Sequence, residues 1–287
     1  MKPAPGAHHQ SGSPAERFIE SKDGTPLRVR TIRASSPRGC VIVVHGLGDH
    51  LERYGALSGF LHENGYDVVL YDQRGHGQSG GVRSHVTRFS DYVEDLERVR
   101  DAAQAAGCPS PHLFAHSMGA VIALLAVMHH PEHWRSVIVQ GFPASPGRNI
   151  PKLLAALVGA VRPLLSRLRA PTGLDPDELS RDAAVAQAYR RDPLVQRTVT
   201  FGWAAEFLGA LRELREGAPA ITCPLLILHG ESDTIARPAG SRWLAQNAGP
   251  GERELLTYPG LKHELHNELG KDRARVFADI GAWLGRH

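Results

Sequence analysis

Cys40-Val-Ile-Val-Val-His45 is a continuous apolar run, the pattern of a strand buried on both faces of a parallel sheet. Runs of the same kind recur at Tyr66–Tyr71, His112–Ala115, Ser136–Gln140 and Pro224–His229. A last run, Glu252–Tyr258, is more polar, which places it nearer a sheet edge. Helical periodicity fills the intervals, at about 50–64, 90–106, 118–130, 203–216, 238–247 and 270–285. Ahead of all this, Glu16–Ser21 and Thr25–Arg33 alternate around Lys22-Asp23-Gly24, the signature of a hairpin with an Asp-Gly turn. Strands alternating with helices predict a doubly wound, mainly parallel α/β sheet.

One stretch breaks the alternation. From Pro143 to Gly202 there is no strand pattern, only helix signals and prolines. An insertion there is expected to form a helical cap over residues 143–202, above the C-terminal edge of the sheet where such folds bind ligands. The core then comprises 16–142 and 203–287, and residues 1–15 are expected to be a disordered tail. The first cap helix places Leu153, Leu154, Leu157, Val158, Val161, Leu164, Leu165 and Leu168 on one face, with a kink at Pro163. No acidic residue lies between Glu132 and Asp175, whereas Arg135, Arg148, Lys152, Arg162, Arg167 and Arg169 are basic. Such a helix covers an apolar pocket, lies on an anionic membrane or micelle surface, or does both.

The chain has 287 residues, of which 42% are hydrophobic and 22% charged, an ordinary balance for a globular protein. A net charge of +3 does not suggest nucleic-acid binding. No apolar stretch reaches the roughly 18 residues of a membrane span, and the N-terminus lacks the apolar segment of a secretory signal. Cys40, Cys108 and Cys223 match no zinc spacing and read as core or strand-edge thiols, which fits a reducing cytoplasm.

The chemistry centres on Ala115-His116-Ser117-Met118-Gly119, one residue away from the G-x-S-x-G elbow. A strand must reverse into a helix there within about two residues, so the positions either side of the serine must be small. Gly119 meets that demand, and Ala115 meets it with one extra methyl. A serine hydroxyl needs a base, and the base an orienting carboxylate, in the chain order nucleophile, acid, histidine. Past the run ending at His229 come Glu231 and Asp233; past Tyr258 come His263 and His266. Asp233 sits deeper in its loop and is preferred to Glu231. His263 follows a Pro-Gly turn and is preferred to His266. Backbone donors for an oxyanion are expected from Met118 and, in the tight His45-Gly46-Leu47-Gly48 turn, from Leu47.

His263-Glu-Leu-His266 is one residue short of the zincin spacing, and the adjacent pairs His8-His9 and His129-His130 point in different directions. No metal or organic cofactor is implied. Asp72 and Arg74 in the loop Tyr71-Asp72-Gln73-Arg74-Gly75-His76-Gly77-Gln78-Ser79-Gly80 are read as braces near the site.

With these residues in place, the chain resembles the monoacylglycerol lipase and lysophospholipase branch of the α/β-hydrolases over roughly residues 16–285. The resemblance rests on His45-Gly46-Leu47-Gly48-Asp49-His50, the Arg74-Gly75-His76-Gly77 loop and His116-Ser117-Met118-Gly119. It continues through Leu179-Ser180-Arg181-Asp182, Tyr189, Asp192-Pro193-Leu194-Val195, Gly230-x-x-Asp233 and Gly260-x-x-His263. It implies an α/β-hydrolase fold with a mostly parallel eight-stranded sheet, Ser117, Asp233 and His263 as triad, and Leu47 and Met118 as oxyanion donors. The implied activity is hydrolysis of single-chain lipid esters through an acyl-serine, without cofactor, in the cytoplasm or peripheral to a membrane. Lysophospholipase, transacylase or thioesterase chemistry on the same triad stays open, as does a ligand receptor that has lost catalysis. Dehalogenase and epoxide hydrolase chemistry is disfavoured, because those relatives use a carboxylate where this chain has Ser117.

Overall fold

The computed structural model describes residues 14–144 and 166–287. Eight strands form the main sheet: β1 (Ala15–Glu20), β2 (Pro26–Ile32), β3 (Gly39–Val44), β4 (Tyr66–Tyr71), β5 (His112–His116), β6 (Val137–Gln140), β9 (Leu225–Gly230) and β10 (Arg253–Tyr258). Their spatial order is β1-β2-β4-β3-β5-β6-β9-β10. β1 and β2 form the antiparallel hairpin, β2 joins β4 antiparallel, and every later pairing is parallel. β10 is the outer strand, in keeping with its mixed polarity.

Alternate residues of the central strands feed two apolar layers. Ile42, Val44, Leu113, Ala115, Val137, Val139 and Ile227 face one side. There they meet α2 (Ser90–Ala105), α3 (Met118–His129), α5 (Phe201–Gly217) and α6 (Pro238–Asn247). Val41, Val43, Phe114, Ile138 and Leu228 face the other, against α1 (Gly55–Glu63) and α7 (Gly270–Arg286). This is why the strands read as unbroken apolar runs rather than alternating ones. α3 is buried from Met118 to Val127, flanked by α2 and α5 over the sheet, so it too is apolar all round.

The insertion differs from the helix-only expectation. Its described part contains β7 (Arg169–Pro171) paired antiparallel with β8 (Thr198–Thr200), and the helix α4 (Ala183–Arg191) capped by the Asp182 carboxylate. Strands of three residues are too short to show a period of two. Residues 153–165, which carry most of the expected leucine face, lie outside the described residues, as do residues 1–13.

The thiol reading needs correction. Cys40, at the start of β3, and Cys108, in the turn after α2, form a disulfide with α-carbons 5.9 Å apart. They are 68 residues apart in sequence, but β3 pairs with β5, which begins four residues after Cys108, so the two strand entries are neighbours. The case for a reducing compartment loses its basis in these two residues. Cys223 is a buried thiol, pushed up to about 12 by burial, and its Sγ donates to the Trp134 carbonyl at 3.4 Å. Among the described residues no helix is long and apolar enough to cross a membrane.

Candidate active site

Ser117 lies between β5 and α3 with φ 54° and ψ −118°, a left-handed conformation that costs a non-glycine residue about 1–3 kcal/mol. The surroundings hold it there. Its N–H donates to the Gln140 carbonyl on β6 at 2.9 Å, and its carbonyl accepts from Ala120 N–H at 2.9 Å. A Cβ on Gly119 would stand 2.3 Å from the Val44 carbonyl oxygen, so only glycine lets α3 leave the sheet this closely. The extra methyl of Ala115 is accommodated, fully buried.

Asp233 and His263 leave adjacent strand ends. β9 and β10 are in register to Tyr258 and Gly230, and the loops that follow pack backbone to backbone, with Ser232 N–H on the Leu261 carbonyl at 2.9 Å. His263 Nδ1 donates to Asp233 Oδ2 at 2.7 Å. Asp233 Oδ1 accepts from the N–H groups of Ile235 at 2.9 Å and Ala236 at 2.8 Å, which fixes the carboxylate plane. The imidazole is seated by Gly141, where a Cβ would lie 3.0 Å from His263 Cε1. Gln140 and Gly141 thus serve both partners, since the first anchors the Ser117 backbone and the second makes room for His263.

The rejected alternatives are elsewhere. Glu231 is exposed and accepts from the Thr257 hydroxyl at 2.8 Å. His266 is buried, 2.8 Å from Gln140 through Nδ1 and stacked on Tyr54 at 4.7 Å.

The loop bearing Leu47 is built on a neutral histidine. His45 Nε2 accepts from Gln73 N–H at 3.0 Å, so Nδ1 carries the hydrogen donated to the Gly46 carbonyl at 2.8 Å. Burial draws this imidazole down to about 4. Residues 192–196 pack on the loop: Gln196 N–H donates to the Gly48 carbonyl at 2.8 Å, and His50 Nε2 meets Asp192 at 2.9 Å. Leu47 follows Gly46, whose absent Cβ would lie 3.3 Å from Ser117 Cβ, and Met118 opens α3. Both residues therefore sit beside the serine.

Comparisons with known proteins show the family. A sequence model of the family described as "Serine aminopeptidase, S33" matches residues 35–270. A monoacylglycerol lipase of Mycolicibacterium smegmatis is 32% identical over 88% of this chain and 90% of its own. The monoglyceride lipase of Rattus norvegicus is 31% identical over 93% of this chain and 89% of its own. Among solved structures, a soluble variant of the Saccharomyces cerevisiae monoglyceride lipase, in complex with a substrate analog, superposes with a TM-score of 0.84. It is 26% identical and covers 99% of each chain.

The chain belongs to this family, as an α/β-hydrolase of the monoacylglycerol lipase branch.

In this serine hydrolase, electrostatics separates the buried histidines. Burial pulls the His263 imidazolium down, but the Asp233 charge and hydrogen bond outweigh it, and the net direction is upward. Burial likewise opposes the Asp233 carboxylate, yet His263 and His229 hold it well below the usual range. His116, whose ring lies 4.6 Å from that of His263, is kept neutral by burial.

His229 and Arg53 escaped the pattern-based reading, whereas Asp72 and Arg74 did not. His229, at the end of β9, has Nε2 3.2 Å from Asp233 Oδ2 and 2.8 Å from the Ala236 carbonyl, with Nδ1 bonded to Ser241 at 2.6 Å. It steadies the carboxylate from below, and a histidine ending an apolar strand four residues before the acid was the signal for it. Arg53 ties Asp49, at 2.9 Å, to Glu264, at 2.9 and 2.8 Å, with Tyr189 against its guanidinium at 5.0 Å. It links the Leu47 loop, the His263 loop and the insertion in one buried cluster. Asp72 and Arg74 act as braces: Asp72 accepts from Leu51 and Gln78 N–H at 2.9 and 2.8 Å, and Arg74 grips Asp95 through two bonds of 2.6 and 2.7 Å.

Proposed function

We propose that the protein hydrolyses monoacylglycerols and similar single-chain lipid esters by acyl transfer to Ser117 and then to water. His263 takes the Ser117 hydroxyl proton at Nε2 as Oγ attacks the ester carbonyl, and it returns that proton to the departing alcohol. A water molecule, deprotonated by the same nitrogen, attacks the acyl-serine; the fatty acid leaves and Oγ regains its proton. Asp233 keeps the hydrogen of His263 on Nδ1, so that Nε2 is the accepting atom. The N–H groups of Leu47 and Met118 receive the charge on the carbonyl oxygen, where each donor of this kind is worth about 2.7–4 kcal/mol. The observation that carries the reading is the 2.7 Å Asp233–His263 pair, seated by Gly141 beside the strained Ser117 turn. Residues 143–202 form the cap in this reading. Contact with an anionic lipid surface is assigned to its basic leucine-rich segment on sequence pattern alone.

The test is a substrate panel. Glyceryl monoesters of varied acyl length, a lysophospholipid and an aminoacyl amide are compared, the last because the family description names a peptidase. Turnover of the glyceryl monoesters, with the amide at least 100-fold slower, supports the reading. The reverse order refutes it.

A pH profile provides a second check. The base must be unprotonated, and Asp233 raises its affinity for protons, so activity falls on the acid side through an apparent pKa above the ordinary histidine value of about 6.5. A kcat/KM that is flat between about pH 5 and 9 speaks against a histidine base.

A further inference from the structure

At the far end of α3, about 18 Å from the Ser117 elbow by helix rise, a second cluster of ligating side chains has nothing to do with the ester chemistry. Pro131–His133 forms a short 3-10 turn with Pro131 at its first positions and His133 N–H on the His130 carbonyl at 3.2 Å. Residues three apart eclipse in such a turn. The rings of His130 and His133 accordingly lie face to face, with centroids 4.6 Å apart and planes 15° apart. Glu132 Oε1 is 3.4 Å from His130 Nδ1 and 3.6 Å from His133 Nε2. These ligand atoms all lie within 4.8 Å of one another. Bonds of about 2.0–2.1 Å to a tetrahedral zinc ion put its ligand atoms roughly 3.4 Å apart, so both distances from Glu132 already stand at coordination spacing and the two imidazoles need only a small side-chain rotation to converge.

The other nitrogen of His133 adds an independent observation. Nδ1 lies 2.9 Å from Glu97 Oε2 on α2, and Arg100 Nε holds the same oxygen at 3.0 Å. Metal-binding histidines usually donate their second N–H to a carboxylate in this way, which fixes the tautomer and raises ligand basicity. In the neutral imidazole with its hydrogen on Nδ1, Nε2 turns a lone pair toward the Glu132 oxygen, and a cation between them would satisfy both. His130 and Glu132 are half or more exposed, so water has access to complete the coordination shell. Two imidazoles and one carboxylate suit Zn2+ and its neighbours rather than Mg2+ or Ca2+, which prefer oxygen.

We propose that His130, Glu132 and His133 form a surface site for a divalent transition-metal cation of the Zn2+ type, which fastens the end of α3 to α2 through Glu97. The i, i+3 spacing of these histidines lies outside the argument that adjacent histidines diverge.

The test titrates Zn2+ against a chromophoric chelator, using the full chain with His8→Ala and His9→Ala as parent so that the tail contributes nothing. One equivalent is expected to bind, at least 10-fold more weakly after His130→Ala or His133→Ala, and about 10-fold more weakly after Glu97→Gln. Zinc should raise the Tm of the parent and leave that of His133→Ala unchanged. His129→Ala, at a histidine paired instead with Glu213, should bind zinc as the parent does. Melting curves without zinc show whether each variant is folded, and His133→Gln replaces any variant that is not. No bound equivalent in the parent, or equal affinity in the parent and the folded His130 and His133 variants, overturns the proposal.

Discussion

Replacing Ser117 by alanine is expected to lower kcat/KM for a glyceryl monoester by about 10⁶-fold, the scale seen when a triad nucleophile is lost. The residual rate would come from substrate binding and backbone donors, which the substitution leaves in place. Alanine keeps the Cβ that already fits beside Gly46, and the backbone bonds to Gln140 and Ala120 do not involve the hydroxyl. The strain at φ 54° remains, so stability should change by little and the loss can be read as chemistry. A fluorophosphonate probe should label the wild-type chain at Ser117 and fail on the variant. A receptor that had lost catalysis would leave even the wild-type chain unlabelled. Esterase activity at the wild-type level in folded Ser117→Ala would remove the acyl-serine from the mechanism.

Much of the fold was legible in the sequence, for identifiable reasons. Strands buried on both faces announce themselves as apolar runs, and the elbow is readable because its sterics admit so few residues beside Ser117. The choice of Asp233 over Glu231 used only depth in the loop, which corresponds to one carboxylate buried on His263 and the other exposed on Thr257. What stayed hidden depends on three-dimensional neighbours. The Cys40–Cys108 bridge needs the β3–β5 pairing, Arg53 needs two loops 211 residues apart to meet, and His229 needs the carboxylate to fold back over its own strand. The β7–β8 pair was missed because three-residue strands carry no usable period.

Asp233→Asn is the sharper probe, because it alters the base without touching the nucleophile. The carboxylate makes four contacts: two backbone N–H groups, His263 Nδ1 and His229 Nε2. An asparagine can offer its carbonyl to the backbone donors, which leaves its NH2 group pointing at His263. Nδ1 must then accept, the ring hydrogen moves to Nε2, and the nitrogen proposed as the base can no longer take a proton. The expected loss in kcat is about 10⁴-fold, or ~5.5 kcal/mol, with KM changed far less. The pH profile carries the second signature. Opposing effects act on His263: burial lowers its pKa, while Asp233 most strongly, then Glu264 and Asp49, raise it. Without the Asp233 charge, burial is opposed only by the charges of Glu264 and Asp49, so the acid limb of the residual activity should move to lower pH. A variant that merely disturbed the loop would lose rate without that displacement. Wild-type kcat with an unmoved acid limb in folded Asp233→Asn would show that another group orients the base.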